Sequence, residues 1–118
     1  EDQLALIAAA TSGAPCFFLG TDSAPHSQAA KQSACGCAGI YSACAAMEYY
    51  AEVFDEYSAL DKLENFSSVF GAEFYGLPLN EATIQLERCE WLVPERLAYN
   101  DKWLVPLLAG KKLRWKRV

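Results

Sequence analysis

The run Cys16-Phe17-Phe18-Leu19 constrains this chain more than any other feature. It is short and apolar throughout, and it follows Gly13 and Pro15, which stop a helix from running into it. An apolar run without alternation, reached from a helical pattern by a short turn, predicts a strand over residues 16–20 buried on both faces, as in parallel sheets. Such a strand cannot stand alone, because both its edges and both its faces need partners. Nothing else in the 118 residues resembles a neighbouring parallel strand. The expectation is therefore the closing part of an α/β body whose earlier strands lie upstream. The first residue is Glu1 rather than Met, which fits a processed chain or a piece of something longer.

Around that run the pattern is mostly helical. Residues 2–11 (DQLALIAAAT) are rich in strong helix formers. Residues 21–39 are small and polar, with Pro25, Gly36 and Gly39, and predict a long loop of the kind that usually carries function. From 40 to 57, Ala43, Met47, Tyr50, Val53, Phe54 and Tyr57 recur at helical spacing, with Glu48, Glu52, Asp55 and Glu56 mostly on the other side. Asp61 can cap a second helix over 61–68 that turns Leu63 and Phe66 inward. Gly71 and Gly76 then bracket an expected turn, Pro78 bars further helix, and 83–91 alternates like a half-exposed strand. Pro94 and Pro106 predict turns before a last strand over 113–118.

Charge and composition exclude several classes. Ten Lys and Arg against fifteen Asp and Glu give −5, and the pI of about 4.8 argues against a nucleic-acid binder, which needs a basic face. No apolar run approaches the ~20 residues that span a bilayer. Five cysteines, an odd number, do not read as a secreted disulfide framework and fit a reducing cytosol better. Lys111, Lys112, Arg114, Lys116 and Arg117 put five positive charges into the last eight residues, leaving −10 in residues 1–110. That tail predicts a final strand whose basic residues face water and blunt an edge.

Two places could carry chemistry. Asp22 directly follows the apolar run, at the carboxyl end of the expected strand, where α/β proteins set ligands and catalytic groups. A turn or cap aspartate is the plainer alternative. His26, the single histidine, belongs to the same loop, and Pro25 biases Ala24 away from helix, so the pair is not a helical i,i+4 pair. A carboxylate and an imidazole together can bind metal, move protons or hold an anion. The second place is Cys35-Gly36-Cys37-Ala38-Gly39. Its C-x-C spacing suits neither the usual zinc pairs nor a C-x-x-C redox pair. A tight glycine turn that brings the main chain of Ala38 to a ligand is the other reading.

Gly20-Thr21-Asp22-Ser23-Ala24-Pro25-His26, with Lys31, Ser33 and Cys35-Gly36-Cys37-Ala38-Gly39, closely resembles the last barrel strand and following loop of the monofunctional dihydroorotases of the amidohydrolase superfamily. The resemblance continues through Phe74-Tyr75-Gly76-Leu77-Pro78, Leu104-Val105-Pro106, Leu108-Ala109-Gly110 and Arg114-Trp115. It implies an α/β fold. Residues 1–76 would be the closing part of a (β/α)8 barrel: a helix, the last strand 16–20, the active-site loop 21–39 and helices 40–57 and 61–68. Residues 77–118 would form a C-terminal extension with short strands. A complete barrel takes ~250 residues, so this chain cannot be one by itself.

The resemblance further implies a zinc-dependent cyclic amidase interconverting N-carbamoyl-L-aspartate and L-dihydroorotate in pyrimidine synthesis. It makes Asp22 a metal-binding aspartate and catalytic acid/base, His26 a contact of the substrate carboxylate, and Ala38 a main-chain substrate contact. The remaining ligands of two zinc ions would come from upstream strands, so the chain alone should be inactive. The implied partners are that upstream part and, in the intact enzyme, a second subunit of a cytoplasmic homodimer. No nucleic acid or membrane is implied. The alternatives are a non-catalytic ligand-binding module and a cysteine-ligated zinc or redox domain.

Overall fold

The Ala- and Leu-rich start forms helix α1 (Asp2–Thr11), and Gly13, at a φ of 79°, turns the chain away from it. In the computed structural model, which describes residues 1–34 and 36–118, helices and short strands then alternate. A one-turn helix α2 (Gln28–Lys31) interrupts the loop that follows. A 3-10 turn, Ala43–Ala45, leads into α3 (Ala46–Glu56). A second 3-10 turn (Leu60–Lys62) and a π-helical turn (Asn65–Val69) lead into α4 (Phe70–Tyr75). Strands β1 (Leu86–Leu92) and β4 (Lys112–Arg117) pair antiparallel, with a bulge between Arg88 and Trp91. Between them, β2 (Leu97–Tyr99) and β3 (Lys102–Leu104) make a small antiparallel hairpin.

The strand expected over 16–20 does not form. Residues 17–20 carry no strand pairing, because the chain supplies no parallel neighbour. The segment docks on a helix instead. The Phe70 amide reaches back to Asn65 across the π turn, which takes it away from its regular α-helical acceptor, Phe66. The Phe66 carbonyl accepts the Leu19 amide at 3.0 Å. Phe18 packs against Phe74 and Tyr75 with ring centroids 5.4 and 6.0 Å away. The same packing corrects a second expectation. Residues 70–75 are helix, not a turn, because Gly71 lets the Phe18 ring lie against the helix backbone. Gly76, left-handed at φ 65°, ends it.

The core sits between α3 and the 60–69 region. Ala51, Phe54, Ala59, Leu63 and Phe66 are buried together, with Leu86 and Trp115 closing it from the strands. A second cluster joins Ala45 and Tyr49 to Val93 and Leu113. Both clusters place β4 across α3, and this corrects the reading of the charges. Of the acidic residues of α3, Glu48, Glu52 and Asp55 receive the basic strand, while Glu56 stays exposed. The amides of Arg114 and Trp115 donate to the Glu52 carboxylate, and that of Arg117 donates to Glu48, which is buried. The Arg114 guanidinium also meets Glu52 at 2.9 Å and Asp55 at 3.7 Å. Carboxylates thus occupy amides of β4 where a sheet would put another strand, satisfying backbone donors without a further ladder.

Candidate functional site: the loop from Gly20 to Ala43

Beyond the Leu19 anchor, the chain turns at Asp22, whose φ of 44° lies in the left-handed region. A non-glycine residue holds that conformation only where its surroundings over-determine it. Ser23 forms a parallel bridge with Ile40, and the Ala24 amide donates to the Ile40 carbonyl at 3.0 Å. Continuing that register sets Asp22 opposite Gly39, one residue after Ala38. Gly39, at φ 120°, has no alternative, since a side chain there would collide with the Ala24 methyl. The Lys31 ammonium donates to the Gly39 carbonyl. The two ends of the loop, one carrying Asp22 and the other Ala38, are thereby drawn together.

His26 is half-buried just before Ser27, the N-cap of α2, whose hydroxyl accepts the Ala30 amide at 3.3 Å. Asp22 and Ala38 are exposed. Among the described residues, Asp22 and His26 share no hydrogen bond or ion pair, and both are joined through the backbone of one loop rather than through each other. Among the described residues the Asp22 side chain makes no hydrogen bond or ion pair.

The loop is tied from behind as well. The Leu107 amide donates to the Tyr41 carbonyl at 2.8 Å, and the Tyr49 hydroxyl donates to the Leu107 carbonyl. Burial, followed by the neighbouring Cys44, pushes the Tyr49 phenol well above its usual range, so it remains a donor. A cavity of about 300 Å³ lies beside this tie, lined by Thr21, Ile40, Ser42, Tyr49 and Tyr50 among others.

The donor chemistry of the loop suits a metal only in part. An exposed carboxylate is a good oxygen ligand, but no group of three His, Cys, Asp or Glu gathers among the described residues. Zinc takes four ligands, more than the described residues gather in one place. Of the cysteines, Cys35 lies outside the described residues, Cys37 is exposed and Cys44 is half-buried.

Sequence reasoning missed the ties that hold the loop: Ser23, the Lys31 ammonium, and the pairing of Tyr41 and Tyr49 with Leu107. Gly39 was a usable signal, because a glycine forced to positive φ next to an alanine marks two backbones in close approach. The opposition of an acidic helix to a basic tail was also in view, as a charge asymmetry.

An apolar segment leading to a carboxylate in a pinned, glycine-bearing loop, on a frame of helices and short strands, marks the chain as one of mixed helix and strand with a candidate site in that loop. No protein-family profile matches it. Dihydroorotases from Coxiella burnetii and Ralstonia pickettii are 62% and 57% identical to it over 116 residues, or 98% of this chain. Solved structures agree. The dihydroorotase of Saccharomyces cerevisiae, in complex with 5-fluoroorotic acid, superposes with a TM-score of 0.90 at 38% identity, covering 99% of this chain and 34% of that one. The Campylobacter jejuni dihydroorotase gives 0.84 at 33% identity, with the same coverage. The chain belongs to the dihydroorotase family and fits its C-terminal portion. It spans about one third of the length of the curated relatives it matches.

Proposed function

We propose that this chain is the closing part of a dihydroorotase barrel, residues 1–76, with a C-terminal extension, residues 77–118. The complete enzyme interconverts N-carbamoyl-L-aspartate and L-dihydroorotate. The observation that carries this reading is Asp22, an exposed residue at positive φ next to the Ser23–Ile40 bridge that closes the loop. The 5-fluoroorotic acid in the yeast relative, a cyclic pyrimidine carboxylate, is a ligand of the same chemical kind.

In the hydrolytic direction, a water oxygen bonds to the ring amide carbon and the carbon–nitrogen bond breaks. Asp22 accepts the water's proton and delivers it to the departing ring nitrogen, so the proton count balances across the step. His26 donates a hydrogen bond to the substrate carboxylate, and the main chain of Ala38 holds the ring edge. These two orient the substrate so that the amide carbon lies where Asp22 can serve it. Zinc, when bound, lowers the pKa of a coordinated water from about 15.7 to about 7. Asp22 is the residue of this chain that would touch it, the other ligands of a two-zinc site coming from upstream residues.

On this reading the 118 residues alone are inactive, and the whole enzyme is a cytoplasmic homodimer. No helix among the described residues is long and apolar enough to cross a membrane. The test is dihydroorotate hydrolysis by the full polypeptide that contains this segment, with Asp22→Asn beside it. Asp22→Asn should lower kcat by at least ~10³-fold, the scale of losing a general acid/base. Turnover near the parent level in that variant would overturn the reading.

A further inference from the structure

The residue after Asp22 does something no other described residue of the loop does. The Ser23 hydroxyl oxygen accepts two backbone amides from far along the chain, Ser42 at 3.1 Å and Ala43 at 3.0 Å. These amides stand at the entry to the 3-10 turn that leads into α3, where the first N–H groups of a helix have no partner within it. Ser23 therefore does for this entry what an N-cap hydroxyl does, but from a segment some 20 residues earlier. Two amides occupy both acceptor positions of a hydroxyl.

We propose that Ser23 is the positioning residue for Asp22: its hydroxyl locks the Asp22–Ser23 peptide to the start of α3 and so fixes where the Asp22 carboxylate stands. This rests on the reading of Asp22 as the proton-transferring group. Two features of the structure make the lock necessary and effective. Asp22 sits at φ 44°, a conformation that relaxes unless held. α3 is the firmest body available to hold it, with Ala51 and Phe54 buried on its inner face. The Ala24 to Ile40 hydrogen bond alone pins the strand direction; the Ser23 hydroxyl adds a second point of attachment, one residue from the carboxylate. Ser23 touches no substrate in this scheme.

The experiment uses the full enzyme carrying Ser23→Ala, Ser23→Thr and Asp22→Asn, with Cys89→Ser, an exposed position on β1, as the control. Ser23→Ala is expected to lower kcat by about 10- to 100-fold, the range for misplacing a reacting group by about 1 Å. KM should stay within about threefold, because His26 and Ala38 still hold the substrate. Amide exchange at Ser42 and Ala43 should accelerate in the same variant, a readout independent of turnover. Ser23→Thr keeps the hydroxyl and should restore both. If Ser23→Ala fails to fold, Ser23→Cys keeps the shape with a weaker acceptor and should show the same kcat loss at normal melting temperature. Parent-level kcat in Ser23→Ala or Ser23→Cys, or a loss of activity that only tracks the fraction of unfolded protein, would overturn the proposal while Asp22→Asn remained dead. An active Asp22→Asn enzyme would instead remove the reading on which it rests.

Discussion

Helices α1 and α3 are of similar length, ten and eleven residues, and they live differently in this chain. α3 buries Glu48, Tyr49, Ala51 and Phe54 and has a strand laid across it. α1 has no fully buried residue, and only Ala10 reaches the core; Leu4 and Leu6 are 60% and 71% exposed, although the helix is apolar nearly all round. A helix with that composition is ordinarily covered on every side. The difference teaches that the chain carries a finished core on one side and an open face on the other. The total surface says the same. At 13.0 kDa a self-contained monomer exposes about 6,300 Å², whereas this chain exposes 8221 Å². Its radius of gyration, 15.7 Å, likewise exceeds the roughly 13.5 Å expected of a compact domain of this length.

The contrast can be broken from either side. Phe54→Ala, in the finished core, should cost ~3–5 kcal/mol, read by denaturant unfolding of the 118-residue chain. A cost below ~1 kcal/mol would mean that the α3 side is no better packed than the α1 side. His26→Ala, in the loop between the two regions, should raise KM of the full enzyme about 10- to 100-fold, the worth of a lost hydrogen bond to a charged group. Unchanged steady-state kinetics would remove the histidine from the site.

Smaller effects sharpen the picture. The Trp115 indole N–H, and then the Arg88 guanidinium, hold the Asp55 carboxyl below its usual range. A carboxyl depressed in the folded state stabilises fully above its unfolded value, about 3.9, and its contribution fades as pH falls through the lower folded value. Stability should therefore drop less steeply between pH 4 and pH 2 in Asp55→Asn than in the parent, as acid titration followed by circular dichroism would show. Asp55 and Arg88 meet near water, so at neutral pH the loss in melting temperature should be modest. Last, Leu4→Ser with Leu6→Ser should shift the stability of the 118-residue chain by no more than ~0.5 kcal/mol. In the longer protein the same pair should be clearly destabilising, because covering each leucine is worth ~1.5–3 kcal/mol. Equal effects in both would mean that α1 stays uncovered there too.

How much of this was legible from residues follows from what was local. The extent of α1 could be read from its formers and Gly13, and a last strand, expected over 113–118 and found at Lys112–Arg117, from its alternation. The apolar run at 16–19 was read for its nature and missed for its state. Its pattern asks for parallel neighbours, and without them the Leu19 amide takes the one carbonyl that a π turn leaves free. No pattern of single residues announces a π turn, so the extension of helix through 70–75 was hidden as well. In the candidate site, Asp22 and His26 are proposed from their chemistry. Ser23 and Leu107 could not be proposed that way, because their roles depend on partners 19 and 58 residues away.

The Glu52 carboxylate and the Trp115 amide it accepts are 63 positions apart. At ~5–20 residues per second of synthesis, helix α3 leaves the ribosome about 3–13 s before the strand that neutralises it. Through that interval the nascent chain presents a bare row of carboxylates beside an unfilled apolar stripe. The loop that carries Asp22 is moored to the entry of the same helix, and so to a body that this late closure completes.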